Sequence, residues 1–98
     1  QHQEAKNIII RTPSVPYLKP LENLNTDTLN LLVQFVLHRR ISIPGLASIM
    51  GVELSQSVAI LNGLHRMGLI HEKFQAVYAL NPYLEPFIIQ ILEEREML

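Results

Sequence analysis

The segment after Glu53 holds the side chains of this chain that are best suited to chemistry, and that chemistry is hydrogen bonding. The spacing of its apolar residues predicts a helix whose inward positions are Leu54, Val58, Leu61, Leu64 and, as a further candidate, Ser57. Helical spacing turns a second set outward, namely Ser55, Gln56, Ala59, Asn62 and Arg66. Glutamine and asparagine can hydrogen-bond to adenine and arginine to guanine, so these five positions are candidates for contacts with DNA bases. An ordinary solvated helix face would explain the same residues, and the sequence leaves both interpretations open.

Four basic residues could hold phosphate groups beside such a helix. Arg39, Arg40 and Lys73 are the candidates outside the helix, and Arg66 lies at its end. Contacts from all four would give a slope of about −3.6 for the logarithm of affinity against the logarithm of salt concentration per protomer, or about −7 for a dimer. Arg39 and Arg40 could equally serve as the cationic C-terminal end of a helix. Phe74 is an aromatic residue at a predicted hairpin tip, which is typical of a protein contact.

Arrangements for catalysis and metal binding are missing from the sequence. The four histidines, His2, His38, His65 and His71, lack the i, i+4 pairing and the carboxylate partners of a metal site. The chain has no cysteine, no glycine-rich phosphate loop and no serine in a nucleophile turn. The acids at 93, 94 and 96 lie on a terminal polar stretch that suits a solvated face. We therefore predict no enzyme, no metal and no cofactor.

The whole chain is short, apolar and nearly uncharged. Its 98 residues form one domain at most, with 48% hydrophobic residues, a mean hydropathy of +0.17 and a formal net charge of −1. Such a charge gives no general attraction to nucleic acid, so DNA binding would need a local basic cluster. The apolar excess predicts an interface with another chain or domain. Because the sequence has neither a membrane-spanning run nor a signal-peptide pattern, we predict an intracellular protein, cytoplasmic or, in a eukaryote, nuclear.

The N-terminal part of the chain is predicted to form a leader followed by a helix. Pro13, Pro16 and Pro20 predict an extended leader or linker over residues 1–24. After a polar cluster that begins at Asn25 and can cap free amides, a helix begins near Thr26 or Asp27 and ends near residue 40. It has two apolar sides, one formed by Leu29, Leu32, Val33, Val36 and Leu37 and the other by Leu24, Leu31 and Phe35. Such a helix must lie between two layers or against another subunit.

The remaining elements are short. Ile41–Ile43 is a β-branched run typical of a brief strand, Pro44 opens a second helix, and Gly51 ends it. Gly68 ends the third helix, and residues 69–72 and 76–80 are predicted to form a β-hairpin around 73–75. A last helix begins at 81–82 or at 85–86. Its apolar residues cover more of the helix surface than one stripe would, and they are Leu84, Phe87, Ile88, Ile89, Ile91 and Leu92.

Taken in order, this arrangement resembles the winged-helix branch of the helix-turn-helix superfamily over residues 26–82. The family's pattern is a small residue in the second helix, a turn glycine and a Gly-Leu-Ile exit into the hairpin. The residues that carry the resemblance are Leu46–Ala47, Gly51–Val52, Ser57–Val58, Leu61, Leu64 and Gly68–Ile70. It implies a mainly α fold with a small β-hairpin, in the order α-β-α-α-β-β-α. It also implies a third helix that enters the major groove and a hairpin, the wing, that meets the DNA backbone or the minor groove.

From the residues and the resemblance together we predict a leader at 1–24, a winged-helix domain at 25–82 and a C-terminal helix at 83–98 that packs on the domain or on a partner. The predicted function is binding of duplex DNA in transcriptional regulation, as a dimer formed through the first and last helices. The interface candidates are Leu31, Phe35, Phe74, Phe87 and Ile89. The alternative is a protein-interaction or assembly module of a larger protein that does not bind DNA, which the near-neutral charge, the short wing and the apolar excess favour.

Overall fold

The computed structural model describes residues 16–98 as a mainly helical domain with a small antiparallel sheet. Most of the predicted leader, residues 1–15, lies outside the described residues. The elements are a 3₁₀ helix Pro16–Leu21, α1 Thr26–His38, β1 Ile41–Ser42, α2 Ile43–Met50, α3 Leu54–Arg66, β2 Ile70–Phe74, β3 Val77–Leu80 and α4 Glu85–Glu94. The 3₁₀ helix stands where an extended leader is predicted, because the φ that proline imposes fits a 3₁₀ turn as well as an extended chain.

Helix α1 begins and ends where local signals place it. Asn25 is its N-cap, and its side-chain oxygen accepts a hydrogen bond from the Thr28 N–H at 2.8 Å. At the other end Arg39 has a φ of 67°, and its N–H donates to the Phe35 carbonyl at 3.0 Å. The helix is therefore closed at both ends by groups that lie within a few residues of it.

Helices α2 and α3 form a bent pair joined by a short turn. The Ser42 hydroxyl oxygen caps α2 by accepting from the Gly45 N–H at 3.0 Å, and Gly51 ends the helix with a φ of 67° that favours glycine. Ser57 of α3 is fully buried and its hydroxyl donates to the Ile43 carbonyl at 2.7 Å. This bond ties the first turn of α2 to α3, and the two helices are bent by 107° relative to each other.

The buried face of α3 differs from the predicted one. Ser57, Leu61 and Leu64 face the core, whereas Leu54 is 56% exposed and Val58 37% exposed. The spacing 57, 61, 64 is as good a helical stripe as the predicted set, and the small, hydrogen-bonded Ser57 lets α3 approach α2 closely. The prediction that Leu54 and Val58 point inward was wrong.

The three strands make one antiparallel sheet in the order β1-β3-β2. Ile41 pairs with Tyr78, and Glu72 pairs with Tyr78 from the other side. The predicted brief strand thus joins the predicted hairpin through β3. Strand β2 reaches Phe74, farther than predicted, because the hairpin turn is tighter than expected. That turn has Ala76 at a φ of 61°, and the Ala76 N–H donates to the Glu72 carboxylate at 2.6 Å.

Helix α4 starts at the later of its two predicted positions and packs against α1. Asn81 does not cap it; its amide donates to the Gly68 carbonyl at 3.0 Å and its side-chain oxygen accepts from the Tyr83 N–H at 2.9 Å. Ile88 and Leu92 of α4 share one core with residues from α1, α2, α3 and the sheet. The two-sided apolar character of α1 is therefore used largely within the chain.

Within residues 16–98 no single helix is long and apolar enough to cross a membrane; α2 and α3 meet that test only when they are taken together as a bent pair.

Candidate functional site

The outward side of α3 carries four of the five predicted base-contact residues. At about 100° per residue, Ser55, Ala59, Asn62 and Arg66 lie roughly opposite the stripe of Ser57, Leu61 and Leu64. All four are exposed. The helix ends with Arg66, after which the backbone of Met67 and Gly68 turns the chain into β2. The sequence pattern therefore placed these four side chains on one surface.

Gln56 has a local structural role. Its side-chain oxygen accepts a hydrogen bond from the Glu53 N–H at 3.2 Å, which satisfies a backbone donor at the start of α3. An adenine contact needs both the oxygen and the amide group of a glutamine. Gln56 would have to release this bond before it could contact a base in that way.

Two apolar residues border the outward side of α3. Leu54 and Val58 lie between the buried stripe and the outward line of α3, and both are exposed. Arg66 is the only lysine or arginine in the helix. We call Leu54, Ser55, Val58, Ala59, Asn62 and Arg66 together the outer face of α3. This surface combines apolar side chains, small side chains and neutral hydrogen-bonding groups with a single cation.

Three of the four predicted phosphate contacts lie together, in a concave pocket of about 200 Å³. Arg39 and Arg40 reach it from the chain that follows α1, and Lys73 reaches it from β2. His71 is a fourth polar member that the sequence did not single out. The remaining lining residues are Phe35, Val36, Ala79, Leu80, Pro82 and Glu85. We call this cavity the basic pocket.

The basic pocket and α3 belong to opposite faces of the sheet. The buried Tyr78 lies edge-on to His65 of α3, with ring centroids 6.2 Å apart. His71 and Ala79 form the cross-strand pair next to Glu72 and Tyr78. Because side chains alternate along a strand, His71 and Ala79 point to the face of the sheet opposite Tyr78. Arg66 is not one of the residues within 16–98 that line the pocket. The four cations therefore do not form one surface.

The pairing of the hairpin is irregular at Lys73. Glu72 pairs with Tyr78 and Phe74 with Val77, so Lys73 is an extra residue in β2. Lys73 nevertheless lines the same pocket as His71. Strict alternation in the sequence would have placed His71 and Lys73 on one side, which is a signal for His71 that the sequence prediction did not use.

The tip of the hairpin is aromatic. Phe74 is 57% exposed, and the Arg40 guanidinium lies over its ring at 5.2 Å from the centroid. A cation in this position is attracted by the ring and keeps its own charge accessible. Phe74 thus connects the hairpin tip to the rim of the basic pocket.

The predicted dimer interface changes in one respect. Phe35 is 1% exposed and belongs to the core of a single chain, because α4 and the sheet cover it, so its assignment as an interface residue was wrong. Leu31, Phe87 and Ile89 are half-buried, and Phe74 is exposed. Dimer formation stays a prediction that rests on these four residues.

A second, shallower cavity of about 440 Å³ lies at the start of α4. It is lined by Asn81, Tyr83, Leu84 and Phe87, and Tyr83 is 78% exposed. No sequence pattern pointed to Tyr83, since a single tyrosine before a helix is common. No group of three or more His, Asp or Glu side chains that could hold a metal ion occurs within residues 16–98.

Comparisons with protein-family models, with curated proteins and with solved structures find no match to this chain.

Proposed function

We propose that this chain forms a winged-helix-like domain that binds another protein through the outer face of α3. The observation that carries the proposal is the composition of that face, in which exposed Leu54 and Val58 accompany Arg66 as its single cation. The core of a protein interface is depleted in charged residues and more apolar than the rest of the surface, whereas DNA-binding surfaces need several cations against the phosphates. The partner is another domain of a larger protein or a second copy of this chain.

The winged-helix assignment is supported by the order of the elements and by the sheet. Helix α1, strand β1, the bent pair α2 and α3, and the hairpin β2–β3 follow one another, and β1 pairs with the outer side of β3. The third helix of such a fold presents one face outward for recognition. A fold of this kind serves DNA and protein partners alike, so the side chains on that face carry the functional argument.

The charge distribution favours the protein partner. The formal net charge of the chain is −1, and Arg39, Arg40 and Lys73 lie in the basic pocket on the far side of the sheet from α3. A duplex held against α3 would meet Arg66 and the neutral side chains of the face. One cation per protomer gives little of the counterion release on which DNA affinity depends. An intracellular location is part of the proposal.

Duplex DNA is the second candidate. It is favoured by the placement of Ser55, Asn62 and Arg66 on one outward line of α3, since all three can hydrogen-bond to base edges. Ala59 between them would let the helix approach a groove closely. In this case the domain would act in transcriptional control as a dimer, which doubles the number of phosphate contacts.

Site-specific photo-crosslinking in cells distinguishes the two candidates. A photoreactive amino acid replaces Ala59, which is exposed on the outer face of α3, and in a matched control it replaces Gln90, which is exposed on α4. We expect an adduct at position 59 that resists nuclease and is degraded by protease, and no such adduct at position 90. A nuclease-sensitive adduct at position 59 would instead support DNA binding. The same protein adduct at both positions, or no adduct at either, would refute binding through α3.

A further inference from the structure

The basic pocket brings three cations from separate stretches of chain to one concave surface. Arg39 and Arg40 follow α1, and Lys73 occupies the bulge of β2. His71 and Pro82 line the same cavity, which is about 200 Å³ in volume. The convergence depends on the fold, because β1, which follows α1, and β2, which holds residues 71–73, both pair with β3.

These cations are not used by the structure around them. Among the interactions of residues 16–98, Arg39 and Lys73 make no ion pair and no side-chain hydrogen bond, and Arg40 contacts only the Phe74 ring through its guanidinium. Glu85 lines the pocket and is the one acid there, and within the described residues it makes no ion pair with them.

The arginines are also not needed to satisfy the end of α1. The Phe35 carbonyl is bonded by the backbone N–H of Arg39 at 3.0 Å, and the His38 carbonyl by the backbone N–H of Arg40 at 2.7 Å. The guanidinium groups are therefore available for another partner. Like charges that line one cavity repel one another, and an anion between them would offset that repulsion.

We propose that the basic pocket binds a phosphate monoester dianion. At about 200 Å³ the cavity is smaller than the sites that enclose drug-sized ligands, so it suits a single phosphoryl group with a short attachment. A phosphate monoester carries a charge of about −1.5 to −2 at neutral pH and offers several strong acceptor oxygens. The planar donors of Arg39 and Arg40 match such oxygens, and Lys73 adds a compact charge.

A monoester fits this pocket better than a phosphodiester backbone does. The cations converge on one concavity bordered by Pro82 and Val36, whereas a nucleic acid strand needs an extended row of cations along its path. A diester group also carries one charge, which leaves most of the positive charge of the site unbalanced. The site lies across the sheet from α3, so it does not depend on the function proposed for the outer face of α3.

A titration of the 98-residue chain, followed by amide chemical shifts, tests this site. The probes are O-phosphoserine, inorganic phosphate and dimethyl phosphate, of which the last is a diester with one charge. We expect saturable shifts at residues 39–40 and 71–73 with phosphoserine and with inorganic phosphate, and at least about tenfold weaker binding of dimethyl phosphate. Tighter binding of phosphoserine than of inorganic phosphate would assign the pocket to a phosphorylated side chain, and the reverse to a free phosphate.

Two double variants with the same change in charge provide the control. Arg39→Gln with Lys73→Gln is expected to weaken phosphate binding by about tenfold or more, because two charge-assisted hydrogen bonds are lost. Arg66→Gln with Arg95→Gln, at exposed positions outside the pocket, is expected to leave it unchanged. Thermal unfolding checks that all variants fold.

Three results would overturn the proposal. They are no saturable shift with either phosphoserine or inorganic phosphate, equal affinity for dimethyl phosphate, and equal weakening in the two double variants, which would indicate a nonspecific response to net charge. None of these results bears on photo-crosslinking at position 59. Loss of the crosslink, conversely, would leave the phosphate titration intact. The two proposals can therefore fail separately.

Discussion

Replacing Arg66 by glutamate reverses the single charge on the outer face of α3 and shows how much DNA affinity this helix can supply. Each phosphate neutralised by a protein cation contributes about −0.9 to the slope of log affinity against log salt. Contact through α3 alone involves Arg66 and gives a slope of about −0.9 per protomer. Simultaneous contact by Arg39, Arg40, Arg66 and Lys73 would give about −3.6. The division of these cations between two faces of the sheet predicts the smaller value.

The two slopes are far apart in practice. For a fourfold rise in salt concentration, a slope of −0.9 lowers affinity by roughly 3.5-fold, and a slope of −3.6 lowers it by roughly 150-fold. Fluorescence anisotropy with a labelled random duplex measures this over a salt series. We expect weak binding at low salt with the shallow dependence, and no measurable binding at physiological salt.

Lys73→Glu is the matched variant, because it makes the same charge reversal at the hairpin. If α3 and the basic pocket act on separate faces, reversal of Lys73 should not change the small affinity that Arg66 provides. A fall of roughly 150-fold over the salt series, together with loss of binding in both Arg66→Glu and Lys73→Glu, would refute the reasoning. That result would mean that one duplex contacts both faces and that DNA is the ligand of this domain.

The remaining predictions concern stability and are measured by chemical denaturation. Leu61→Ala should lower the free energy of unfolding by about 2 to 5 kcal/mol, because Leu61 is 1% exposed. Leu54→Ala should lower it by less than about 1 kcal/mol, because Leu54 is 56% exposed. Similar losses in the two variants would contradict the observed buried face of α3. Ser57→Ala should cost about 1 kcal/mol through loss of its bond to Ile43, and an unchanged midpoint would count against that bond. Ala76→Gly should raise the free energy of unfolding by about 0.5 to 1 kcal/mol, because φ at this position is 61°, which strains alanine but not glycine. A lower free energy of unfolding would contradict this turn geometry.

The sequence predicted those features of the fold that depend on neighbours in the chain. Asn25, Pro44 and Gly51 mark helix ends because capping and positive φ are properties of a few adjacent residues. Helical spacing also predicted which side of α3 carries Ser55 and Arg66, although it assigned Leu54 to the interior. A pattern of period 3.6 locates a stripe to within one position, and the choice between neighbouring stripes is made by what packs against the helix.

Only the tertiary structure decided which distant residues meet. Phe35 is apolar and helical in sequence, but the docking of α4 on α1 buries it inside one chain and removes it from any interface. Arg39 and Lys73 share a pocket because β1 and β2 both pair with β3, and Arg66 does not line that pocket. Strand register and helix docking depend on contacts between residues far apart in sequence, which no local pattern specifies. The sequence by itself determined the helices, the hairpin and the polar side of α3, and the fold decided that its cations lie on two separate surfaces.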